Sequence, residues 1–109
     1  MFTPTVTIEA LPSGEKTKFE INEIKLMIAN INGVAYAVQR ICSHADADLS
    51  EGTLEGCVIE CPLHGGMFDV RDGKVLSLPA TQPLKTYPTK IENGIIFVDI
   101  PEVETPESI

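Results

Sequence analysis

Short apolar segments that alternate with polar residues make up most of the chain, and turn-forming residues separate them. Val6, Ile8 and Ala10 alternate with Thr7 and Glu9, which is the period of two typical of a half-buried β-strand. Comparable segments predict strands at residues 6–10, 16–21, 26–31, 34–39, 58–60, 67–70, 74–76, 85–92 and 95–100. The pattern therefore predicts an all-β protein whose antiparallel strands form a sandwich or a small barrel.

Three dipeptides mark the predicted hairpin turns. Asn32-Gly33, Asp72-Gly73 and Asn93-Gly94 each lie between two apolar segments. Asn-Gly and Asp-Gly favour two-residue hairpin turns because both turn residues adopt positive φ. No segment shows a clear 3.6-residue period over 11 residues or more, and a helix remains an alternative only at residues 22–28.

Two segments interrupt the strand pattern. The segment at residues 40–57 is long and polar, and the segment at residues 76–84 contains two prolines. Connections of this kind in a small domain often carry the function. A chain of 109 residues allows one domain, which we expect at residues 1–100, followed by an acidic tail at residues 101–109.

Charge excludes several kinds of partner. The chain has 16 acidic and 8 basic side chains and a net charge of −8. We therefore expect no nucleic-acid partner and no anionic membrane surface, because both require a basic face. The first residues lack the features of a secretory signal, and no apolar run approaches the roughly 20 residues of a membrane span. These features predict a cytoplasmic protein.

Two Cys/His pairs carry the candidate chemistry. Cys42 and His44 form a C-x-H pair, Cys61 and His64 form a C-x-x-H pair, and sixteen residues separate His44 from Cys61. Two thiolates and two imidazoles suit a Cys₂His₂ zinc site or a two-iron cluster in which two histidines hold one iron. Zinc fingers pair Cys with Cys and His with His. The mixed pairs found here therefore favour the cluster.

The paired motif resembles the Rieske iron–sulfur signature, C-x-H followed by C-P-x-H-G. The resemblance covers nearly the whole chain and is greatest to the small ferredoxins of aromatic-ring dioxygenases. It implies a Rieske fold, with an antiparallel β base and a small cluster-binding subdomain at about residues 40–83. It also implies one 2Fe-2S cluster per chain, with Cys42, His44, Cys61 and His64 as its ligands.

The same resemblance implies an electron-transfer component of a multicomponent oxygenase system, and not an enzyme. Its partners would be a flavin-dependent ferredoxin reductase and a terminal oxygenase of aromatic hydrocarbon catabolism. The small Rieske subunit of an assimilatory nitrite reductase is the alternative. A terminal oxygenase is excluded, because its mononuclear iron needs further histidines and the chain has only two.

Four positions distinguish this chain from other members of the family it resembles. Ala47 and Leu63 occupy the positions where respiratory members carry a disulfide between the ligand loops. Gly66 and Phe68 occupy the positions where high-potential members carry hydroxyl groups. Hydrogen bonds to cluster sulfur raise the reduction potential. We therefore predict a potential at the low end of the Rieske range, which spans roughly −150 to +300 mV.

The remaining expectations concern single side chains near the motif. Cys57 is expected to be an ordinary small residue at the start of a strand, and Asp69 a turn or strand residue without chemistry. Three acidic residues of the polar segment at residues 40–57 either face solvent or form part of a docking patch: Asp46, Asp48 and Glu51. Four residues either shield the cluster or belong to the core: Leu49, Leu63, Met67 and Pro79.

Overall fold

The structure is a computed structural model that describes residues 1–43, 46–63, 65–78, 80 and 82–101. Within these residues the chain forms β-strands and a single short 3₁₀ helix, which confirms the all-β prediction. The elements, in chain order, are β1 Phe2–Thr7, β2 Lys16–Ile21, β3 Ile24–Ile31, β4 Val34–Gln39, the 3₁₀ helix Leu49–Glu51, β5 Thr53–Glu55, β6 Val58–Glu60, β7 Met67–Asp69, β8 Val75–Ser77, β9 Thr86–Tyr87, β10 Thr89–Glu92 and β11 Ile95–Asp99.

The strands form three antiparallel sheets. Sheet A has the order β1-β11-β10, sheet B the order β2-β3-β4-β9, and sheet C the order β5-β6-β7-β8. Neighbours in sheets B and C are mostly consecutive in the chain, so short hairpins connect them. Sheet A instead pairs the first strand with the last, and Phe2 lies opposite Asp99.

Sheet B contributes apolar side chains to two separate cores. Leu26 and Ile28 of β3 pack with Ile96 and Val98 of β11, which places one core between sheets A and B. Met27, which lies between them in sequence, belongs to a second core with residues of sheet C and the loops around it. Because side chains alternate across a strand, β3 is buried on both faces. This explains its continuous apolar sequence.

Most predicted strands are found within one or two residues of their predicted limits. The first strand is an exception, since it covers Phe2–Thr7 and not residues 6–10. The chain turns immediately after Thr7, whose carbonyl accepts a hydrogen bond of 3.1 Å from the N–H of Ala10. The helical alternative at residues 22–28 is wrong. Asn22 and Glu23 form a tight turn with φ of 52° and 67°, and β3 begins at Ile24.

The predicted strand at residues 85–92 is two strands in different sheets. Thr86–Tyr87 pairs with β4 in sheet B, and Thr89–Glu92 pairs with β11 in sheet A. Pro88 separates them, and it has no N–H to donate to a continuous ladder. The two strands are only two and four residues long, which is too short for the sequence pattern to reveal the division.

The polar segment at residues 40–57 also contains regular structure. Asp48 caps the 3₁₀ helix Leu49–Glu51 by accepting a hydrogen bond from the N–H of Ser50, and β5 follows at Thr53–Glu55. Both elements are only three residues long, which is too short for a periodic signal. They connect the first Cys/His pair to the strand that precedes the second pair.

Candidate metal centre

Cys42 begins a six-residue loop that follows β4, here called the first ligand loop (residues 42–47). The N–H of Cys42 donates a hydrogen bond of 2.8 Å to the carbonyl of Ala47. Immediately outside this bond, Ile41 and Asp48 form an isolated antiparallel bridge. The loop is therefore closed at its base and held at the end of sheet B.

Cys61 begins a second loop of the same length, between β6 and β7, here called the second ligand loop (residues 61–66). The N–H of Cys61 donates a hydrogen bond of 2.7 Å to the carbonyl of Gly66, again five residues further along. Gly65 has φ of +75°, which favours glycine and lets the loop turn back towards β7. Cys42 and Cys61 thus each begin a loop that an equivalent main-chain hydrogen bond closes.

The structure brings the two cysteines together. Cys42 and Cys61 are 5% and 2% exposed and belong to the same apolar core as Leu49 and Phe68. Their thiols are in hydrogen-bonding contact. Burial raises the pKa of the Cys61 thiol, and the Cys42 thiol adds to this, although the N–H of Leu63 partly offsets it. Because metal ligation requires thiolates, metal uptake by this pair would release protons.

The two histidines proposed as ligands, His44 and His64, lie outside the described residues. Among the residues that are described, no cluster of three or more His, Cys, Asp or Glu side chains could hold a metal ion. The described half of the donor set fits an iron–sulfur cluster, because two buried, adjacent cysteines can both ligate one iron.

A hydrogen bond joins the first ligand loop to the proline-containing segment at residues 76–84. The hydroxyl of Ser43, which lies between Cys42 and His44, donates a bond of 2.7 Å to the carbonyl of Gln82. In the same segment, Ala80 and Leu84 are buried in the core that contains the two cysteines. The segment therefore packs beside the ligand loops. Neither the hydroxyl contact nor its partner was predicted from the sequence.

The four residues expected to shield the site or to fill the core differ in their exposure. Leu49 is completely buried in the core, and Met67 is half-buried. Leu63, in the second ligand loop, is 45% exposed. Pro79 lies outside the described residues. The ligand loops thus rest on apolar side chains and present at least one leucine to solvent.

Asp46, Asp48 and Glu51, the acidic residues in and after the first ligand loop, do not form one uniform patch. Asp46 and Glu51 are exposed, whereas Asp48 bonds the N–H and the hydroxyl of Ser50 at 2.9 and 2.6 Å. Burial by itself raises the pKa of Asp48, but the hydrogen bonds from Ser50 and the charge of Arg40 outweigh it and lower that pKa. Asp48 therefore has a structural role, and the docking hypothesis reduces to Asp46 and Glu51.

Cys57 directly precedes β6 and Asp69 ends β7, so both lie at the end of these strands opposite the second ligand loop. Cys57 is in the turn before β6, half-buried against the core, and its thiol contacts Asp69. Two guanidinium nitrogens of Arg71 donate to the Asp69 carboxylate at 3.0 and 2.8 Å. None of the three cysteines, all of which are described, forms a disulfide. The expectation that Asp69 is a turn or strand residue agrees with its place at the end of β7.

Comparison with known proteins identifies the fold and the family. The family model of the Rieske [2Fe-2S] domain matches residues 2–88. The 3-phenylpropionate/cinnamic acid dioxygenase ferredoxin subunit of Escherichia coli (strain K12) is 43% identical over 95 residues, which cover 86% of this chain and 89% of the relative. Among solved structures, the ferredoxin of carbazole 1,9a-dioxygenase from Nocardioides aromaticivorans IC177 is similar, with a TM-score of 0.87 and 33% identity over 91% of this chain and 97% of that one.

The chain belongs to the Rieske [2Fe-2S] domain family. Within that family it is a ferredoxin of the kind found in aromatic dioxygenase systems, and thus an electron carrier and not an enzyme. It carries one 2Fe-2S cluster. The predictions of family, fold, cofactor and electron-transfer role are confirmed, and the nitrite reductase alternative is not favoured. In the described residues no helix is long and apolar enough to span a membrane.

Proposed function

We propose that this ferredoxin takes single electrons from a flavin-dependent reductase and delivers them to a terminal ring-hydroxylating oxygenase. A relative solved as a complex of reduced oxygenase and oxidized ferredoxin in carbazole 1,9a-dioxygenase supports the second half of this proposal. It has a TM-score of 0.85 and 32% identity over 90% of this chain and 92% of that chain. The curated relatives are likewise ferredoxin subunits of a dioxygenase. We also propose a cytoplasmic location.

The proposed ligand set is Cys42 and Cys61 on one iron and His44 and His64 on the other. The single observation that carries it is the contact between two buried cysteines, each at the closed base of a six-residue loop. When bound, the cluster accepts and gives up one electron.

We propose a single domain at residues 1–100, followed by a tail at residues 101–109. Its base is formed by residues 1–39 and 84–100, and its cluster-binding subdomain by about residues 40–83.

The chain's own residues perform the remaining tasks. The core side chains Leu49 and Phe68 exclude water from beneath the cysteines, since both are completely buried. The main-chain bonds to Ala47 and Gly66 close the two loops at their bases. The exposed side chains of Asp46 and Glu51 place negative charge in and just after the first ligand loop. This charge favours association with a partner whose surface carries basic residues.

Spectroscopy of the purified protein tests the ligand set. A brown protein that shows an axial or rhombic EPR signal of low average g after reduction supports it, and a colourless protein with stoichiometric zinc refutes it. Replacement of Cys42, His44, Cys61 or His64 by alanine should abolish the signal. Cys57→Ser is the matched control and should leave both the signal and the iron content unchanged.

A reconstituted assay tests the partners. Purified ferredoxin should support electron flow from an NADH-dependent flavoprotein reductase to a terminal oxygenase, measured as hydroxylated product formed per NADH consumed. The rate should fall as salt rises, because an acidic docking face is screened. Product formation that does not depend on the ferredoxin, or rates that ignore ionic strength, would contradict the proposal.

A further inference from the structure

Arg40 joins the base of the molecule to the first ligand loop. It follows β4 directly and precedes Cys42 by two residues, and it is only 8% exposed. The main-chain N–H of Arg40 donates a hydrogen bond of 3.0 Å to the carbonyl of Lys25 on β3. The carbonyl of Arg40 accepts a hydrogen bond of 2.7 Å from the N–H of Leu49. The main chain of Arg40 is thus held on both sides.

The guanidinium of Arg40 is buried but only loosely paired. Its Nε lies 3.5 Å from Asp48, and a terminal nitrogen lies 3.8 Å from Glu20 on β2. Nε is fully buried and has no hydrogen-bond acceptor in the part of the chain that the structure describes. By contrast, the exposed Arg71 binds Asp69 through two short bonds. The guanidinium of Arg40 therefore lies between two carboxylates, and neither of them holds it by a short hydrogen bond.

Arg40 lies beside the base of the first ligand loop: its Nε is 3.5 Å from Asp48, and Asp48 pairs with Ile41, the residue before Cys42. Consecutive Cα atoms are about 3.8 Å apart, so the Cα atoms of Arg40 and Cys42 are separated by at most about 7.6 Å. Arginine stays protonated in proteins, so its charge is permanent. A charge buried in a protein is screened less than a charge at the surface, so it interacts appreciably with charge that appears in the same part of the molecule.

Reduction adds one negative charge to a cluster that is neutral when oxidised, since two ferric ions balance two sulfides and two thiolates. A nearby positive charge favours the reduced state, and a nearby negative charge favours the oxidised state. We propose that the buried guanidinium of Arg40 raises the reduction potential of this ferredoxin, and that Asp48 limits the increase. The proposal rests on the ligand set given above and concerns how that site is tuned.

Two substitutions of opposite sign test it. In Arg40→Met the reduced-to-oxidised ratio at a fixed ambient potential should fall by about threefold or more, which is a shift of about −28 mV at 59 mV per tenfold. In Asp48→Asn the same ratio should rise, because the guanidinium loses a counter-charge. Asparagine still caps the 3₁₀ helix, so this variant changes little except charge.

Arg40→Lys and Arg71→Met are the controls. Lysine keeps the charge, so Arg40→Lys should remain closer to the wild-type potential than Arg40→Met does. Arg71→Met breaks the ion pair between Arg71 and Asp69. Arg71 lies in the turn after β7, and the second ligand loop lies at the other end of that strand, so this variant should leave the reduction potential unchanged. Potentials are read from dye-mediated titrations followed by EPR, with iron and sulfide content measured on each sample.

A purely structural role predicts a different result. Both main variants would then lose stability or iron while the loaded fraction keeps the wild-type potential, and that outcome overturns the proposal. Shifts of the same sign also overturn it. If the Arg40→Met protein takes up no cluster, the Asp48→Asn protein tests the proposal alone. A reduction potential of Asp48→Asn equal to or below that of the wild type then rejects the proposal. Absence of the Rieske signal from the wild-type protein would instead refute the ligand set.

Discussion

The hydroxyl of Ser43 donates a hydrogen bond of 2.7 Å to the main-chain carbonyl of Gln82, across 39 residues of sequence. It connects the first ligand loop to the segment at residues 76–84, whose Ala80 and Leu84 are anchored in the core beneath the cysteines. Two segments that meet at the proposed cluster site are therefore joined by one side chain from inside the C-x-H motif.

Loss of this bond should loosen the segment at residues 76–84. One hydrogen bond contributes about 1 kcal/mol net, which is about fivefold in an opening equilibrium. We expect Ser43→Ala to lose its visible absorption about fivefold faster than wild type in the presence of an iron chelator. Ser43→Thr keeps the hydroxyl and should bleach at nearly the wild-type rate. Equal rates for all three proteins would contradict the role of the bond.

Gly52 should be the glycine next to the site that tolerates alanine least. A Cβ at Gly52 would overlap the main-chain carbonyl of Glu60, the residue before Cys61. The φ of Gly52 is −84°, so space and not backbone conformation demands glycine. Gly52→Ala should lower the free energy of unfolding by about 3 kcal/mol and reduce iron content, because the second ligand loop must move.

Gly56→Ala is the matched control for this prediction. Gly56 has φ of +58° and no atom within 4 Å of the added Cβ, so only the left-handed conformation opposes alanine. That conformation costs about 1 kcal/mol, and the iron content should not change. The measurements are urea unfolding and iron analysis. A Gly56 variant that is less stable than the Gly52 variant would show that the packing argument is wrong.

Asp69 should make stability depend on pH. Hydrogen bonds from the Arg71 guanidinium lower the pKa of Asp69 below its ordinary value. A carboxylate with a lowered folded-state pKa stabilises the protein above the unfolded-state pKa of about 3.9, and this contribution is lost as pH falls through the folded-state pKa. Asp69→Asn should therefore be less stable than wild type at pH 7, and the difference should shrink as the solution becomes strongly acidic.

Urea unfolding at a series of pH values measures this difference. Asp72→Asn is the control, because Asp72 is exposed and accepts a bond from the N–H of Lys74 that asparagine can also accept. Its stability should follow that of the wild type at each pH. A gap between Asp69→Asn and wild type that stays constant or widens in acid would refute the assignment.

The absence of a hydroxyl at Phe68 should keep the reduction potential of the cluster low. It is completely buried in the core that contains both cysteines. Phe68→Tyr adds a donor where high-potential members of the family carry one, and a new bond of about 1 kcal/mol would raise the reduced-to-oxidised ratio about fivefold. Phe97→Tyr in sheet A serves as the control. A wild-type midpoint potential well above zero, or a Phe68→Tyr protein with the wild-type value, would contradict the prediction.

The sequence predicted the strands that short hairpins connect and missed those defined by distant contacts. Asn32-Gly33 and Asn93-Gly94 have the positive φ values that their turns require, and the strands on both sides are found. The division at Pro88 was missed, because the choice between sheets A and B depends on partners far along the chain. The Asn22-Glu23 turn was missed because Glu at such a position gives no hairpin signal.

The same distinction applies to the site. Cys42 and Cys61 could be predicted because their chemistry and spacing form a specific motif. The contacts that support them could not, since Ser43 and Gln82 are 39 residues apart and neither stands out in composition. Arg40 was visible only as a basic residue before the motif, and only its burial shows that its charge is withheld from solvent.

The pairing of β1 with β11 has a consequence for biosynthesis. β1 is the first of the described strands to be synthesised, yet its partner in sheet A is the last of them. The β2-β3-β4 part of sheet B and the whole of sheet C can assemble from neighbouring hairpins during this interval, whereas sheet A must wait for nearly the whole described chain. The two ligand loops are thus synthesised before the strand that completes sheet A.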